Sequence, residues 1–170
     1  QVILLTLHRR ESFGGPADAV FAAVLRLCER FPALHFIYPV HPNPRVKAAA
    51  EAAFAEASRV HLVAPLSYFD LVAAMKRSSL ILTDSGGLQE EGPALARPVL
   101  VLRNETERPE AVEAGVARLV GANTAAIVDH VSCLLTDSAA YKAMAPGISP
   151  YGDGKAASRI ADIVKLHMSG

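Results

Sequence analysis

The stretch from Leu80 to Glu91, LILTDSGGLQEE, decides how the rest of the chain is interpreted. An apolar run ends at Thr83 and is followed by a small Asp-Ser-Gly-Gly turn and then by a polar helical start. This order predicts a β-strand that enters a glycine loop and then the N-terminus of a helix. Free N–H groups at a helix N-terminus, together with the helix dipole, attract phosphate. A tight βα turn without a ligand would use the same residues, because short glycine motifs often occur by chance.

Six apolar runs of strand length flank this loop or lie further along the chain. They are rich in Val, Ile and Leu and lack clean alternation, which is typical of strands buried on both faces. The predicted strands cover residues 2–6, 34–40, 60–63, 79–83, 98–102 and 117–120.

Helical patterns separate these strands. Val20, Val24, Leu27 and Phe31 repeat at helical spacing, and so do Ile127, Val131, Leu134 and Leu135 after two capping candidates, Asn123 and Thr124. Further helices are predicted at 44–57, 67–77, 87–96, 138–145 and 155–168. Alternating strands and helices predict an α/β fold, a Rossmann-like, doubly wound parallel sheet of six strands. Ligands of such folds bind at the carboxyl ends of the strands.

Composition limits the classes of function. The chain has 170 residues, enough for one domain spanning 1–170, and 51% of them are hydrophobic. Lys plus Arg and Asp plus Glu both number 17, which argues against a general nucleic-acid or membrane surface. The longest apolar runs are too short to span a bilayer. Cys28 and Cys133 are expected to be small buried residues, not a disulfide or metal ligands. These features favour a cytoplasmic protein.

The loops predicted at the strand ends contain the candidate functional residues. His8, Arg9 and Arg10 crowd the first loop and could bind an anion, although a solvated charged loop has the same composition. His41 lies in a proline-rich loop that is interpreted either as a stiff helix start or as a ligand contact. Arg108 precedes a helix and could reach a diphosphate or form a surface salt bridge.

Two leucines, Leu66 and Leu71, are either core residues or the walls of a site for a flat base or sugar. The segment around Tyr151 is rich in turn residues before the last predicted helix.

Taken in order, five of these segments resemble one family. They are HRRES at 8–12, YPVHPNP at 38–44, LTDSGGLQEE at 82–91, RNETERPE at 103–110 and PYGDGKA at 150–156. The set resembles the C-terminal half of the non-hydrolysing UDP-N-acetylglucosamine 2-epimerases over nearly all of the chain. The resemblance implies the second half of a two-domain GT-B-type fold. It also implies an isomerase that interconverts UDP-N-acetylglucosamine (UDP-GlcNAc) and UDP-N-acetylmannosamine (UDP-ManNAc) for surface polysaccharide biosynthesis. The reaction eliminates UDP and adds it back, and no metal or redox cofactor is implied.

The resemblance also implies roles for individual residues. Ser85, Gly86 and Gly87 would hold the diphosphate, and Glu91 would accept hydrogen bonds from the ribose hydroxyls. Arg108 would neutralise the departing UDP, and His8 would assist catalysis. Leu66 and Leu71 would contact uracil, although some relatives carry Gln and an aromatic residue at these two positions. Finally, Arg9, Arg10 and His41 resemble positions of a second, regulatory UDP-sugar site.

The resemblance also implies partners. The carboxylates that move the proton at C2 would lie in an N-terminal domain that this chain lacks, and the complete enzyme would be a homodimer. Because the chain begins at Gln1 and enters an apolar run at once, we expect it to be a piece of a longer protein that is inactive alone. Three alternatives stay open: another GT-B glycosyltransferase, a hydrolysing epimerase, and a non-catalytic UDP-sugar sensor.

Overall fold

A computed structural model describes residues 1–9 and 14–168. It contains a six-stranded, fully parallel sheet with the strand order β3-β2-β1-β4-β5-β6. The strands are β1 (Val2–Thr6), β2 (His35–Pro39), β3 (Val60–Val63), β4 (Leu80–Thr83), β5 (Val99–Val101) and β6 (Ala117–Leu119). The helices are α1 (Gly15–Arg30), α2 (Pro44–Ala53), α3 (Tyr68–Arg77), α4 (Gly86–Ala94), α5 (Pro109–Glu113), α6 (Thr124–Thr136), α7 (Ser138–Met144) and α8 (Ala156–Met168).

The strand order reverses between β1 and β4. The chain adds β2 and β3 on one side of β1, then returns to place β4 on its other side. The two strands pair in register from Ile3 opposite Leu80 to Thr6 opposite Thr83, so both end at the same level. In open parallel sheets, the crevice beyond such a switch point is where ligands bind. The loop after β1 and the loop into α4 therefore face each other.

Helices cover both faces of the sheet, which confirms the predicted doubly wound, Rossmann-like α/β fold. On one face, α1, α2, α6 and α7 pack on a large apolar cluster that includes Phe36 and Leu82. On the other face, α3, α4 and α5 pack on a smaller cluster that includes Ile81 and Val99. Side chains of successive strand residues point to opposite faces, which is why the strands are apolar throughout.

Local sequence accounts for several helix starts. Asn43 caps α2 by accepting the N–H of Arg45 at 2.9 Å, and Pro44 follows at the first helical position. Ser67 caps α3, and Asn123 caps α6. These caps match the predicted starts within one residue. Cys28 is buried as expected, whereas Cys133 is exposed on the outer side of α6, so the prediction that both are buried is wrong for Cys133.

Candidate active site at the carboxyl edge of the sheet

The two central strands meet at a pair of hydroxyl groups. Oγ1 of Thr6 and Oγ1 of Thr83 lie 2.6 Å apart, and both residues are buried. Oγ1 of Thr83 also accepts the backbone N–H of Ser85 at 2.9 Å. This contact sets the direction in which the chain leaves β4 and enters α4.

Asp84, the next residue, joins the two loops. Its carboxylate accepts the backbone N–H of His8 with both oxygens at 3.0 Å, and the N–H of Arg9 at 2.9 Å. Asp84 is completely buried, and a buried carboxylate needs such donors to offset the loss of hydration. The loop after β1 is therefore fixed to the end of β4 by a charged group, which the sequence reading did not single out.

The N-terminus of α4 points into the crevice without a side-chain cap. Ser85 occupies the N-cap position, but its hydroxyl makes no capping hydrogen bond. The first N–H groups of a helix have no intrahelical acceptor, so those of Gly86 and Gly87 are donors for an external anion. Neither glycine has a positive φ angle, and a Cβ added at Gly87 would meet only Oγ of Ser85, at 3.9 Å. The glycines therefore keep the turn open instead of relieving backbone strain.

A buried glutamine links α4 to the loop after β5. The side-chain amide of Gln89 donates to the carbonyl of Ser85 at 3.2 Å, and its oxygen accepts the hydroxyl of Thr106. Oγ1 of Thr106 in turn accepts the backbone N–H of Arg108 at 3.0 Å. Gln89 is fully buried although it lies in a polar helical stretch. These hydrogen bonds fix the position of the Arg108 backbone relative to that of Ser85.

Two arginines share one carboxylate at the rim. Arg9 and Arg103 each bind Glu107 through both guanidinium Nη atoms, at distances of 2.8 to 3.2 Å. The hydrogen bonds from Arg103 and Arg9 lower the pKa of Glu107 to about 2. A Cβ added at Gly86 would lie 3.8 Å from Nη2 of Arg9, so this guanidinium lies beside the start of α4.

Arg108 is also paired. Its Nε donates to the Glu90 carboxylate, and Nη1 donates to the carbonyl of Glu107. Burial raises the pKa of Glu91, and the neighbouring Glu90 raises it further.

Tyr151 stabilises helix α5, which follows Arg108, because the Tyr151 hydroxyl accepts the N–H of Ala111 at 3.2 Å. The turn-rich segment around Tyr151 therefore supports the Arg108 loop.

His8 and His41 lie on the other side of the crevice, with ring centroids 6.3 Å apart. Burial lowers the pKa of His8; Asp84 opposes this effect and His41 adds to it. Nδ1 of His41 accepts the N–H of Asn43 at 3.1 Å, which fixes the orientation of this ring.

A small cavity opens beside these histidines. Its volume is about 200 Å³, and Leu66 and Leu71 line it together with His8 and His41. A larger cavity of about 730 Å³ lies next to it, lined by the same two histidines, Asn43, Arg45 and the apolar face of α1. The predicted residues His8, His41, Leu66 and Leu71 thus share one region, and Ser85, Gly86, Arg9 and Arg108 share another at the same edge. Arg10 lies outside the described residues.

Buried polar residues account for most of what the sequence reading missed. The sequence places Asp84 in a small turn and Gln89 in a polar helical start, and neither position indicates burial. The one sequence signal for Asp84 was its position directly after an apolar strand at the ligand edge. Tyr38, whose buried hydroxyl has no hydrogen-bond partner among the described residues, gave no signal at all.

Within residues 1–9 and 14–168, His, Cys, Asp and Glu side chains do not gather in groups of three or more that could share a metal ion. Over the same part of the chain, every helix is too short or too polar to traverse a bilayer.

Comparison with known proteins gives a consistent family. A family model described as UDP-N-acetylglucosamine 2-epimerase matches residues 1–165. The UDP-N-acetylglucosamine 2-epimerase of Bacillus subtilis (strain 168) is 47% identical over 167 residues, which is 98% of this chain and 44% of that protein. This chain thus spans less than half the length of that relative, and it corresponds to the C-terminal half of the full-length proteins.

Solved structures agree with the sequence match. The crystal structure of UDP-GlcNAc 2-epimerase from Neisseria meningitidis, bound to UDP-GlcNAc, has a TM-score of 0.92 at 40% identity, over 98% of this chain and 45% of that one. The Methanocaldococcus jannaschii enzyme, in complex with UDP-GlcNAc and UDP, has a TM-score of 0.81 at 30% identity, over 97% of this chain and 45% of that one. These matches show that the chain belongs to the UDP-N-acetylglucosamine 2-epimerase family.

Proposed function

We propose that this chain is the nucleotide-binding half of an enzyme that interconverts UDP-GlcNAc and UDP-ManNAc. The observation that carries the proposal is the uncapped N-terminus of α4, which opens at the β1/β4 switch point with His8, Arg9 and Arg108 on the loops around it. A diphosphate there would accept hydrogen bonds from the Gly86 and Gly87 amides and gain from the helix dipole. Similar enzymes from Neisseria meningitidis and Methanocaldococcus jannaschii have been solved with UDP-GlcNAc bound.

The nucleoside would extend from the diphosphate toward the small apolar cavity. A volume of about 200 Å³ with Leu66 and Leu71 as walls suits a flat pyrimidine, held by aliphatic contact and backbone groups. Glu91 would accept hydrogen bonds from the ribose hydroxyls. Its pKa is raised by burial and by Glu90, and a hydroxyl donor would stabilise the ionised carboxylate that this contact requires.

The proposed chemistry proceeds by elimination and re-addition. A base removes the C2 proton, the C1–O bond breaks, and UDP leaves with the electron pair of that bond to give a glycal. UDP then adds back to C1 while a proton is delivered to the opposite face of C2. Charge develops on the leaving diphosphate, so the preorganised amides of α4 and the Arg108 guanidinium would lower the barrier.

His8 would stand at the diphosphate or the sugar and assist catalysis. Because burial lowers its pKa, His8 is a neutral imidazole at neutral pH and can donate one N–H. The acid and base at C2 would come from the N-terminal domain, and the complete enzyme would be a homodimer. The isolated chain would therefore bind UDP without epimerising UDP-GlcNAc.

A regulatory UDP-sugar site is a second candidate function of the same edge. It is favoured by the cavity of about 730 Å³ that adjoins the small one and is lined by His41, Asn43 and Arg45. Arg9, proposed for this site, is bound to Glu107 beside Gly86 and so lies where it could touch either ligand. Sigmoidal dependence of the epimerase rate on UDP-GlcNAc, lost in His41→Ala, would support this site, and a hyperbolic dependence would oppose it.

Substitutions at Gly87 test the diphosphate site by charge alone. A side chain fits there, so Gly87→Asp and Gly87→Asn should both fold, and the aspartate should even stabilise α4 through the helix dipole. Only Gly87→Asp places a negative charge against a bound diphosphate. We expect calorimetry to show UDP binding to the wild-type chain, weakened binding to Gly87→Asn, and binding at least roughly tenfold weaker again to Gly87→Asp.

Mapping of the bound nucleotide completes the binding test. Amide shifts on addition of UDP should be largest at Gly86, Gly87 and Leu88, and uridine without the diphosphate should leave them nearly unchanged. Equal binding by the two Gly87 variants, or shifts confined to another part of the chain, would refute the diphosphate site.

Turnover is tested in the whole protein that carries this chain. Supplied with UDP-GlcNAc and no acceptor, it should form UDP-ManNAc without accumulating free UDP, and the 170-residue chain alone should not. Stoichiometric release of UDP would favour a hydrolysing epimerase. Dependence on an acceptor would favour a glycosyltransferase, and binding without turnover would favour a sensor.

A further inference from the structure

Asp84 is a charged group with no part in the chemistry described so far. It is completely buried between β4 and α4, two residues before Gly86. A buried carboxylate is costly unless donors surround it, and a tight turn could be built from uncharged residues. The groups that this carboxylate binds should therefore explain why a charged residue occupies the carboxyl edge of the sheet.

The contacts of Asp84 go to the backbone of the loop after β1. Both oxygens accept the N–H of His8, and one of them also accepts the N–H of Arg9. His8 and Arg9 are 76 and 75 residues away in sequence, so no local interaction fixes them relative to α4. The Asp84 carboxylate connects this loop to α4, because Asp84 lies directly before the N-cap residue Ser85.

We propose that Asp84 is a positioning residue, which as a carboxylate fixes the backbone of His8 and Arg9 so that Arg9 lies beside the N-terminus of α4 and His8 lines the adjoining cavities. The proposal rests on the proposed function, because it matters only if the space between these loops holds a diphosphate sugar. Asp84 would not touch the substrate. Its oxygens are turned to backbone N–H groups, and its effect reaches the ligand through His8 and Arg9.

The charge would also influence the state of His8. Asp84 acts to raise the pKa of His8, against the larger effect of burial and the additional effect of His41. Arg45 of α2 also lines the cavity next to His8. Removal of the Asp84 charge should therefore move the His8 titration to lower pH, because it removes a negative charge that favours the imidazolium.

Asp84→Asn tests the proposal with little change in volume. An amide offers one acceptor oxygen and two N–H donors, so it cannot accept the His8 and Arg9 N–H groups as the carboxylate does, and one donor would face another. Asp137→Ala is the control, because it removes an aspartate that caps a helix away from the site and should therefore cost stability. Asp137 also accepts two backbone N–H groups, those of Ala139 and Ala140, but at the start of α7.

Two readouts separate positioning from general stability. Both variants should lose stability, but only Asp84→Asn should weaken UDP binding, by about tenfold, the loss expected for a charge-assisted hydrogen bond. Only Asp84→Asn should also shift the His8 ring titration, followed by NMR, to lower pH. If Asp84→Asn binds UDP as the wild type does and His8 titrates unchanged, Asp84 has no positioning role.

Two further outcomes are decisive. If Asp84→Asn does not fold, hydrogen exchange of the wild-type chain decides: protected amides at His8 and Arg9 support the proposal, and unprotected amides overturn it. If wild type fails to bind UDP at this edge, the proposed function fails instead. The shift of the His8 titration then still reports whether Asp84 holds the loop.

Discussion

Gly92 packs directly against the sheet, and its substitution tests how the site is held. A Cβ added there would lie 2.6 Å from Cγ2 of Val99 and 2.9 Å from Cδ1 of Ile81. Real Cβ atoms do not approach other atoms so closely, and both neighbours are fully buried. Gly92→Ala must therefore push α4 away from β4 and β5 or force both side chains to move.

The expected loss follows from two opposing effects. Overpacking a filled core costs about 1–3 kcal/mol. Alanine recovers at most about 1 kcal/mol of helix propensity relative to glycine. We therefore expect Gly92→Ala to lower the free energy of unfolding by about 1–2 kcal/mol and to weaken UDP binding, because the amides of Gly86 and Gly87 move with α4.

The same substitution at Gly87 is the matched control. It lies on the same helix, but a Cβ there meets only Oγ of Ser85 at 3.9 Å. Gly87→Ala should therefore leave the free energy of unfolding unchanged or raise it by about 0.5–1 kcal/mol. Only Gly92→Ala is therefore predicted to lose stability, although both variants make the same substitution in the same helix.

Urea unfolding of the two variants measures the difference. Val99→Ala in the Gly92→Ala background should recover part of the loss, because removal of the Val99 methyl groups makes room for the new Cβ. The double variant should be more stable than the sum of the two single losses predicts, by about 1 kcal/mol. If Gly92→Ala stays within about 0.5 kcal/mol of wild type, or if the losses add, the close packing of α4 is not what holds the site.

Three further predictions concern single side chains. Glu107→Gln should lower the free energy of unfolding at pH values above 4.5, the ordinary pKa of a glutamate. The difference from wild type should vanish as the pH falls toward about 2, because pairing with Arg9 and Arg103 stabilises only the ionised carboxylate. A difference that stays constant during acid unfolding would contradict this pairing. Tyr38→Phe should raise the free energy of unfolding by up to about 1 kcal/mol, since it removes a buried hydroxyl that has no hydrogen-bond partner within residues 1–9 and 14–168, and a clear loss of stability would reveal a partner. His8 should titrate by NMR below its ordinary pKa of 6.5 in the free chain and at higher pH with UDP bound, because a diphosphate favours the imidazolium; no change on addition of UDP would place the ligand elsewhere.

Much of the fold follows from apolar runs and their order. The predicted bounds of β1 and β3 are those observed. The other strands were predicted slightly too long, because flanking residues such as Leu34 and Leu102 are apolar and buried but lie beyond the paired residues. Helix α2 was predicted to reach residue 57, since alanine favours helix, yet it ends at Ala53, before the core residue Phe54.

Some residues of the candidate site can be predicted from local sequence, whereas others depend on contacts between distant parts of the chain. Ser85, Gly86 and Gly87 could be found because strand, turn and helix start follow each other in the sequence. Asp84 could not be told from an ordinary turn aspartate, since its partners come from another loop through the pairing of β1 with β4. Gln89 resembled a surface residue of a polar helix and became buried only because the loop with Thr106 lies over it.

The rim arginines carry less free charge than the sequence suggests. Arg9 and Arg103 share Glu107, and Arg108 is paired with Glu90. Three guanidinium groups are therefore paired with two carboxylates before any ligand arrives, so much of their charge is already balanced, and in the proposed function the attraction of a diphosphate would depend first on the amides of α4. The acids in the same motifs hold the arginines in place, so a ligand meets oriented donors and not a diffuse positive surface.

The pairing of Arg108 with Glu90 also couples Arg108 to the protonation state of Glu91 in α4. If Arg108 turns from Glu90 to a phosphate, Glu90 loses the cation that balances it. Glu90 already raises the pKa of Glu91, and without Arg108 the repulsion between the two carboxylates grows. A nucleotide that took Arg108 would therefore bind best if it also supplied a donor near Glu91 or bound together with a proton, and the ribose hydroxyls assigned to Glu91 in the proposed function would be such donors. Under that proposal the two contacts, phosphate with Arg108 and ribose with Glu91, would depend on each other through Glu90.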